Sequence, residues 1–329
     1  YEATDPGPEA DALRVQARLA LRGAAERAME LGAAGQAQVL LRTALDISED
    51  DAERADLLER TALAAVTEGR YGTAERSGFE AIAAYEAAGD HTGAVRMSAT
   101  QGGILTDASK LTEAVEFLER ALADVGRPEN AEHRADMLAR LSRAHMRLGE
   151  SEQAVARADE ALAIAEPRHF RRIVAEAFVN KAAALGALQR IQEPLVLMSA
   201  AVEMAHEQGD INLELRARNN LAAVQGFEDV DAAQRVAHEA YELATRLGIG
   251  QMATWIAGAV AWGSTYQGLD WDTPLRMLDT EIEGSLADAD HGRLIATHQL
   301  IVSWRGEDDR ELTAERRRLL TSVSDPDTA

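Results

Sequence analysis

The chain has 329 residues, of which 4% are aromatic and none is cysteine, and its formal net charge is −22. That acidity disfavours surfaces that track phosphates, and so disfavours general nucleic-acid binding and adhesion to anionic membranes. The absence of cysteine excludes disulfides and thiolate metal sites. Leu, Ala, Glu and Arg dominate and Pro is scarce, a helical composition. The longest apolar run, near Met252 to Gly263, is too short to span a bilayer, and no signal peptide is visible, so a soluble, cytoplasmic domain is expected. Because the chain opens at Tyr1 without a Met, it reads as a piece of a longer protein.

Residues 1–8 (YEATDPGP) read as a flexible leader. A long helix is expected from Glu9 to Leu31, a break over Gly32 to Gly35, and a second helix from Gln36 to Ile47; Ser48 to Asp51 looks like the cap of the next. In the second unit Leu58, Ala62 and Ala65 form one helical stripe. Ala74, Gly78, Ala81 and Ile82 form the other, across a turn at Gly69-Arg70-Tyr71. Gly89 is the expected C-terminal stop and Asp90 the next N-cap. The third unit turns at Ser109-Lys110-Leu111 and carries small or apolar residues at Gly102, Ala114, Leu118 and Ala121.

The fourth unit reads as two antiparallel helices joined by a tight turn at Leu148-Gly149-Glu150-Ser151. Leu138, Leu141, His145 and Leu148 share one face, and Ala154, Val155, Ala158, Ala161 and Leu162 share the facing one. Gly149 is expected to stop the first helix in a left-handed conformation, and Ser151 to cap the second. Pro128 opens this unit and Pro194 falls in a first helical turn, both tolerated places. The units span 9–48, 49–89, 90–127, 128–167, 168–209, 210–248 and 249–287. A partial pair covers 288–323 and a disordered tail 324–329.

The register can be counted. The first small residue of each second helix is Ala37, Ala74, Ala114, Ala154, Pro194, Ala233 or Pro274. The next recurs at Ala44, Ala81, Ala121, Ala161, Ala201 and Ala240, with Glu281 breaking the series. Two helices repeating every ~40 residues specify a helical solenoid. The expected fold is therefore all-α, a right-handed superhelical solenoid of antiparallel helix pairs.

Leu58, Ala62, Gly69, Tyr71, Ala74 and Ala81, with their counterparts Leu138, Ser142, Gly149, Ser151, Ala154 and Ala161, resemble the tetratricopeptide repeat, here with longer helices. Asn180 and Asn219 fall where such repeats often carry Asn. The likeness covers residues 18 to 285. Arg216 to Val224 and Trp262 to Ile282 look like the C-terminal repeat region of large bacterial signalling proteins, namely actinobacterial regulators and class III nucleotide cyclases with an AAA-type ATPase. No cyclase, ATPase or DNA-binding motif lies in this sequence.

In a solenoid of this type the exposed sides of the first helices line a groove. Arg140, Arg143 and Arg147 cluster on one side of their helix, away from the Leu138/Leu141/Leu148 stripe. Arg96, Asn180, Arg218 and Asn219 are expected to join them. Such a groove would clamp an acidic peptide or a C-terminal carboxylate, because guanidinium bonds carboxylates in bidentate fashion. A solvated face with Asp136 pairing Arg140 is the bland alternative. Trp255 and Tyr266 are candidates for an apolar partner contact, whereas Trp262 takes a core position.

Other motifs read as structural. Gln101-Gly102-Gly103 suits close helix packing. Glu203 and His206 have the spacing of half a di-iron site but lack a second copy. His291 and His298 share a face without converging carboxylates, and Arg168 to Arg172 reads as a solvated loop. The expected function is a non-catalytic scaffold for a protein or peptide, without cofactor or metal and without nucleic-acid or membrane contact. A domain that senses a small effector and signals to an upstream domain is the alternative, and self-association through a flank is left open.

Overall fold

The computed structural model describes residues 7–125, 130–267, 271–284 and 288–307, together with 310, 313, 314 and 318. Residues 1–6 of the expected leader, the tail at 324–329 and the second half of the closing partial pair, apart from those four residues, lie outside them; Pro8, placed in the leader by the sequence, opens the first helix. The chain divides into two compact units, Tyr1–Ile173 and Val174–Ala329.

The first unit stacks four antiparallel pairs: α1 (Pro8–Glu30) with α2 (Ala34–Asp46), α3 (Asp51–Thr67) with α4 (Tyr71–Ala87), α5 (His91–Asp107) with α6 (Leu111–Asp124), and α7 (Ala131–Leu148) with α8 (Ser151–Ala165). A single 3-10 turn over Glu166–Arg168 leads into α9 (Arg171–Ala187), which carries the division between the units. The second unit continues with α10 (Gln192–Gln208), α11 (Ile211–Gln225), α12 (Val230–Arg246), α13 (Gly250–Gln267), α14 (Asp272–Gly284) and α15 (Asp288–Trp304). No strand occurs among the described residues.

Small residues set the helix spacing. Ala37, Ala44, Ala74, Ala81, Ala114, Ala154, Ala161, Ala201 and Ala240 of the counted register are all buried. Without long side chains at these positions, helix axes approach closely, and larger residues such as Leu41, Met97, Leu118, Leu141 and Met198 fill the spaces between. Glu281 breaks the series for a physical reason. Tyr241 Oη donates to its Oε1 at 2.8 Å and Thr254 Oγ1 to its Oε2 at 2.9 Å, so a carboxylate tied to α12 and α13 replaces a methyl contact.

The α7/α8 hairpin illustrates the local logic. Ser142 Oγ donates to the Ala154 carbonyl at 2.7 Å, satisfying a buried hydroxyl where the two backbones come together. Gly149 adopts φ 81°, the left-handed stop that glycine takes without a Cβ penalty. The expected Ser151 cap does not form: Glu150 is the capping residue, with no side-chain bond, and Ser151 is already helical. Instead the Glu150 carboxylate lies 2.6 Å from Nδ1 of buried His145 and draws the turn onto α7. Asp50 and Asp90 do cap, each accepting from the backbone three residues on, at 2.8 Å.

Gly102 and Gly103 have different tasks. A Cβ on Gly102 would lie within 2.8 Å of Cγ, Cδ1 and Cδ2 of buried Leu118. A Cβ on Gly103 would meet instead the guanidinium of Arg140, which crosses from α7 over this bare backbone.

Candidate functional site

The first helices of successive pairs are tied by guanidinium–carboxylate ion pairs. In the first unit Arg60 reaches back to Glu26 (2.9 Å), Arg96 to Glu59 (2.7 Å), Arg143 to Asp107 (2.7 Å) and Arg172 to Asp136 (3.3 Å). In the second unit Arg216 reaches Glu176 at 2.7 Å. Each cation lies about one repeat later in the chain than its anion, so the period that stacks the helices also places the charges opposite one another. These bonds make a ladder of ion pairs where the sequence suggested an open cationic stripe.

The individual candidates sort accordingly. Arg96 is partly exposed, but its Nε and Nη2 both bond the Glu59 carboxylate, and its guanidinium also stacks 5.4 Å from the Tyr85 ring centroid. The Glu59 bonds raise its pKa against the opposing effect of burial. Tyr85 Oη bonds the same carboxylate; burial first, and that hydrogen bond second, push its phenol well above the usual range. Arg140 Nε bonds Asp136 at 2.9 Å, the pairing that the bland reading of the stripe implied. Asn180 is 1% exposed and Asn219 6%, so neither amide is presented to solvent. Asn180 Nδ2 donates to Glu176 at 3.4 Å, whereas Asn219 Oδ1 has no hydrogen-bond donor among the described residues. Arg218 is held by Glu214 through Nε at 2.9 Å.

Arg143 and Arg147 are the pair with charge to spare. Arg143 meets Asp107, but Arg147 donates to the Thr106 carbonyl and to Ser109 Oγ at 3.2 Å, not to a carboxylate. Burial of the guanidinium against α5 and repulsion from Arg143 lower its pKa from the usual arginine value, while Asp107 and Tyr71 act in the opposite sense. Two guanidiniums therefore share the field of one aspartate on the α5/α7 face. Sequence reading found both arginines but missed Asp107. The available signal was a carboxylate one period upstream of an arginine on the next first helix.

In the second unit a cavity of about 310 Å³ opens beside α12. Glu239, Glu242 and Arg246 of α12 line it, opposite Glu214 and Arg218 of α11. Ile211 and Leu243 provide its apolar surface, and His206, at the end of α10, reaches it. The Glu214 side chain is 2% exposed and fully engaged, by Arg218 at 2.9 Å and by His206 Nδ1 at 3.1 Å. That contact accounts for the histidine of the Glu203/His206 pair; Glu203 itself is exposed. His298 bonds Asp279 at 3.1 Å, and the His291 side chain lies outside the described residues. Trp255 is half-buried on α13, and the side chains of Trp262 and Tyr266 lie outside the described residues. Among the described residues no helix is long and apolar enough to cross a membrane.

No protein-family model matches the chain, and no curated protein matches it. Solved structures do. The apo form of RapI aligns over 92% of this chain and 98% of its own, at TM-score 0.61 and 13% identity. A Rap protein complexed with Competence and Sporulation Factor aligns over 93% and 86%, at 0.61 and 15%. A signal transduction ATPase with numerous domains and a tetratricopeptide repeat sensor, from Pyrococcus horikoshii, aligns over 92% of this chain but 44% of that one, at 0.53 and 15%. With helix pairs at a fixed period and small residues in register, this chain has the tetratricopeptide-type helical-repeat fold.

Proposed function

We propose that the chain is a non-catalytic scaffold that binds a protein or peptide through the first-helix face of its repeats, and that Arg143 and Arg147 receive an acidic side chain or a C-terminal carboxylate. The observation that carries this reading is the unequal charge on the α5/α7 face, where Arg147 is bonded to a carbonyl and a hydroxyl and shares Asp107 with Arg143. A carboxylate arriving there gains charge-assisted bonds without first displacing one from Arg147. The fold is compatible with ligand capture, since a Rap protein of the same fold was crystallised with Competence and Sporulation Factor. The Pyrococcus horikoshii protein, whose repeats are a sensor within a larger chain, supports a place in a larger signalling protein.

The test is fluorescence anisotropy with a labelled Asp/Glu-rich peptide ending in a free carboxylate, against the parent and Arg147→Gln. Glutamine keeps a donor for the Thr106 carbonyl and removes the charge. Loss of one charged hydrogen bond is expected to weaken binding by about tenfold or more. Equal affinity for both proteins would remove Arg147 from the site. Failure of acidic and neutral peptides alike would count against the peptide reading. A second reading, a site for a small effector, is supported by the cavity beside α12.

A further inference from the structure

Two of the charged groups lining the α12 cavity are unspent. Among the described residues, neither Glu242 nor Arg246 makes a hydrogen bond or ion pair, although they stand four residues apart on one helix. Glu239, one turn earlier on the same face, has only a long contact of 3.5 Å from Arg218. Arg218 and Glu214 are committed to each other, so they act as the fixed opposite wall. The cavity thus presents carboxylates at one end of an α12 face and a guanidinium at the other, with Ile211 and Leu243 beside them.

Resting on the small-effector reading, we infer that this cavity binds a small zwitterion, a free α-amino acid with an apolar side chain. Its ammonium would lie with Glu239 and Glu242 and its carboxylate on Arg246, where bidentate pairing is available. Its side chain would cover Ile211 and Leu243. The charge pattern discriminates between ligand classes: a dianion would face Glu242, a dication would face Arg246, and a neutral molecule would leave both poles unmatched. The volume of about 310 Å³ stands at the small end of ligand sites and suits a molecule of this size.

Ligand-observed NMR on the full chain tests this with four probes: L-leucine, L-leucinamide, N-acetyl-L-leucine and N-acetyl-L-leucinamide. Leucine is expected to bind at millimolar concentration, and each probe lacking a pole at least about tenfold more weakly. Glu242→Gln and Arg246→Gln, both at exposed positions, are expected to fold normally and to erase the preference for leucine over leucinamide (Arg246→Gln) or over N-acetyl-leucine (Glu242→Gln). A one-poled probe that binds as well as leucine, with sensitivity to the same substitutions, overturns the zwitterion and leaves the small-effector reading standing. Binding of none of the four overturns both. Leucine binding indifferent to both substitutions overturns the assignment of the site.

Discussion

The adjacent glycines of α5 allow a sharp test of how the repeats are packed. Alanine in place of helical glycine favours folding by about 1 kcal/mol, because the unfolded chain loses freedom and the helix gains propensity. At Gly102 the new methyl runs into Leu118, whose side chain is itself fully buried. Overpacking of this kind costs about 1–3 kcal/mol, so Gly102→Ala is expected to be destabilising by up to about 2 kcal/mol net. At Gly103 the methyl meets only the guanidinium of Arg140, the movable end of a long side chain. Gly103→Ala is therefore expected to keep most of its gain, and the two variants should differ by about 1–3 kcal/mol. Repeat arrays open locally, so amide hydrogen exchange over α5 and α6 is the direct assay. Gly102→Ala should lose protection at Leu111–Asp124, where Leu118 resides. Equal protection in the two variants, or greater protection in Gly102→Ala, would refute the claim that Gly102 is there to seat Leu118.

Two other outcomes follow from the same contacts. Burial, and then the hydrogen bond and charge of Glu281, raise the Tyr241 phenol from 10.0 to about 12, so the fold prefers the neutral form. That contribution is fully present below pH 10 and is lost as pH rises from about 10 to about 12; Tyr241→Phe should melt lower than the parent below pH 10 and lose less melting temperature across that window. For the ladder, Asp107→Arg and Arg143→Asp should each lower the melting temperature, while the exchanged double variant recovers a coupling of about 0.5–1 kcal/mol in a double-mutant cycle. Strict additivity would mean that the 2.7 Å pair contributes nothing to stacking.

The fold was legible because stacking one repeat on the next imposes a period on small residues, and that period survives when individual units diverge. Ala74/Ala81 and Ala154/Ala161 announce their helices without any structure. The site was less legible. Arg140, Arg143 and Arg147 lie together on their helix by spacing alone, but whether a guanidinium is free depends on what the preceding first helix places opposite it. Asp107 is distant in sequence from Arg143, and only a comparison at the repeat period would have paired them. Asn180 and Asn219 are buried although their helix pattern suggests a groove-facing position, because amphipathicity in one helix cannot reveal the neighbour that covers it. The α12 cavity left no mark in the sequence, since Glu242 and Arg246 there look like an ordinary i,i+4 pair.

The ladder also constrains how an acidic ligand could bind. Arg60, Arg96 and Arg172 already hold carboxylates, so a ligand arriving at them exchanges one carboxylate for another and gains little. Net gain is confined to where a guanidinium is bonded to neutral groups, as Arg147 is to Thr106 and Ser109. Meanwhile the whole chain carries −22, which repels an acidic peptide at distances beyond the local pair. Salt acts on these two effects in opposite directions. Screening of the long-range repulsion is expected to raise the association rate as salt increases toward physiological strength, where the Debye length is about 8 Å. Weakening of the close pairing is expected to raise the dissociation rate over the same range. Stopped-flow measurement with the acidic peptide separates the two. An association rate that falls steeply with salt would mean that the peptide is steered by a positive field, which the paired arginines of the ladder do not supply.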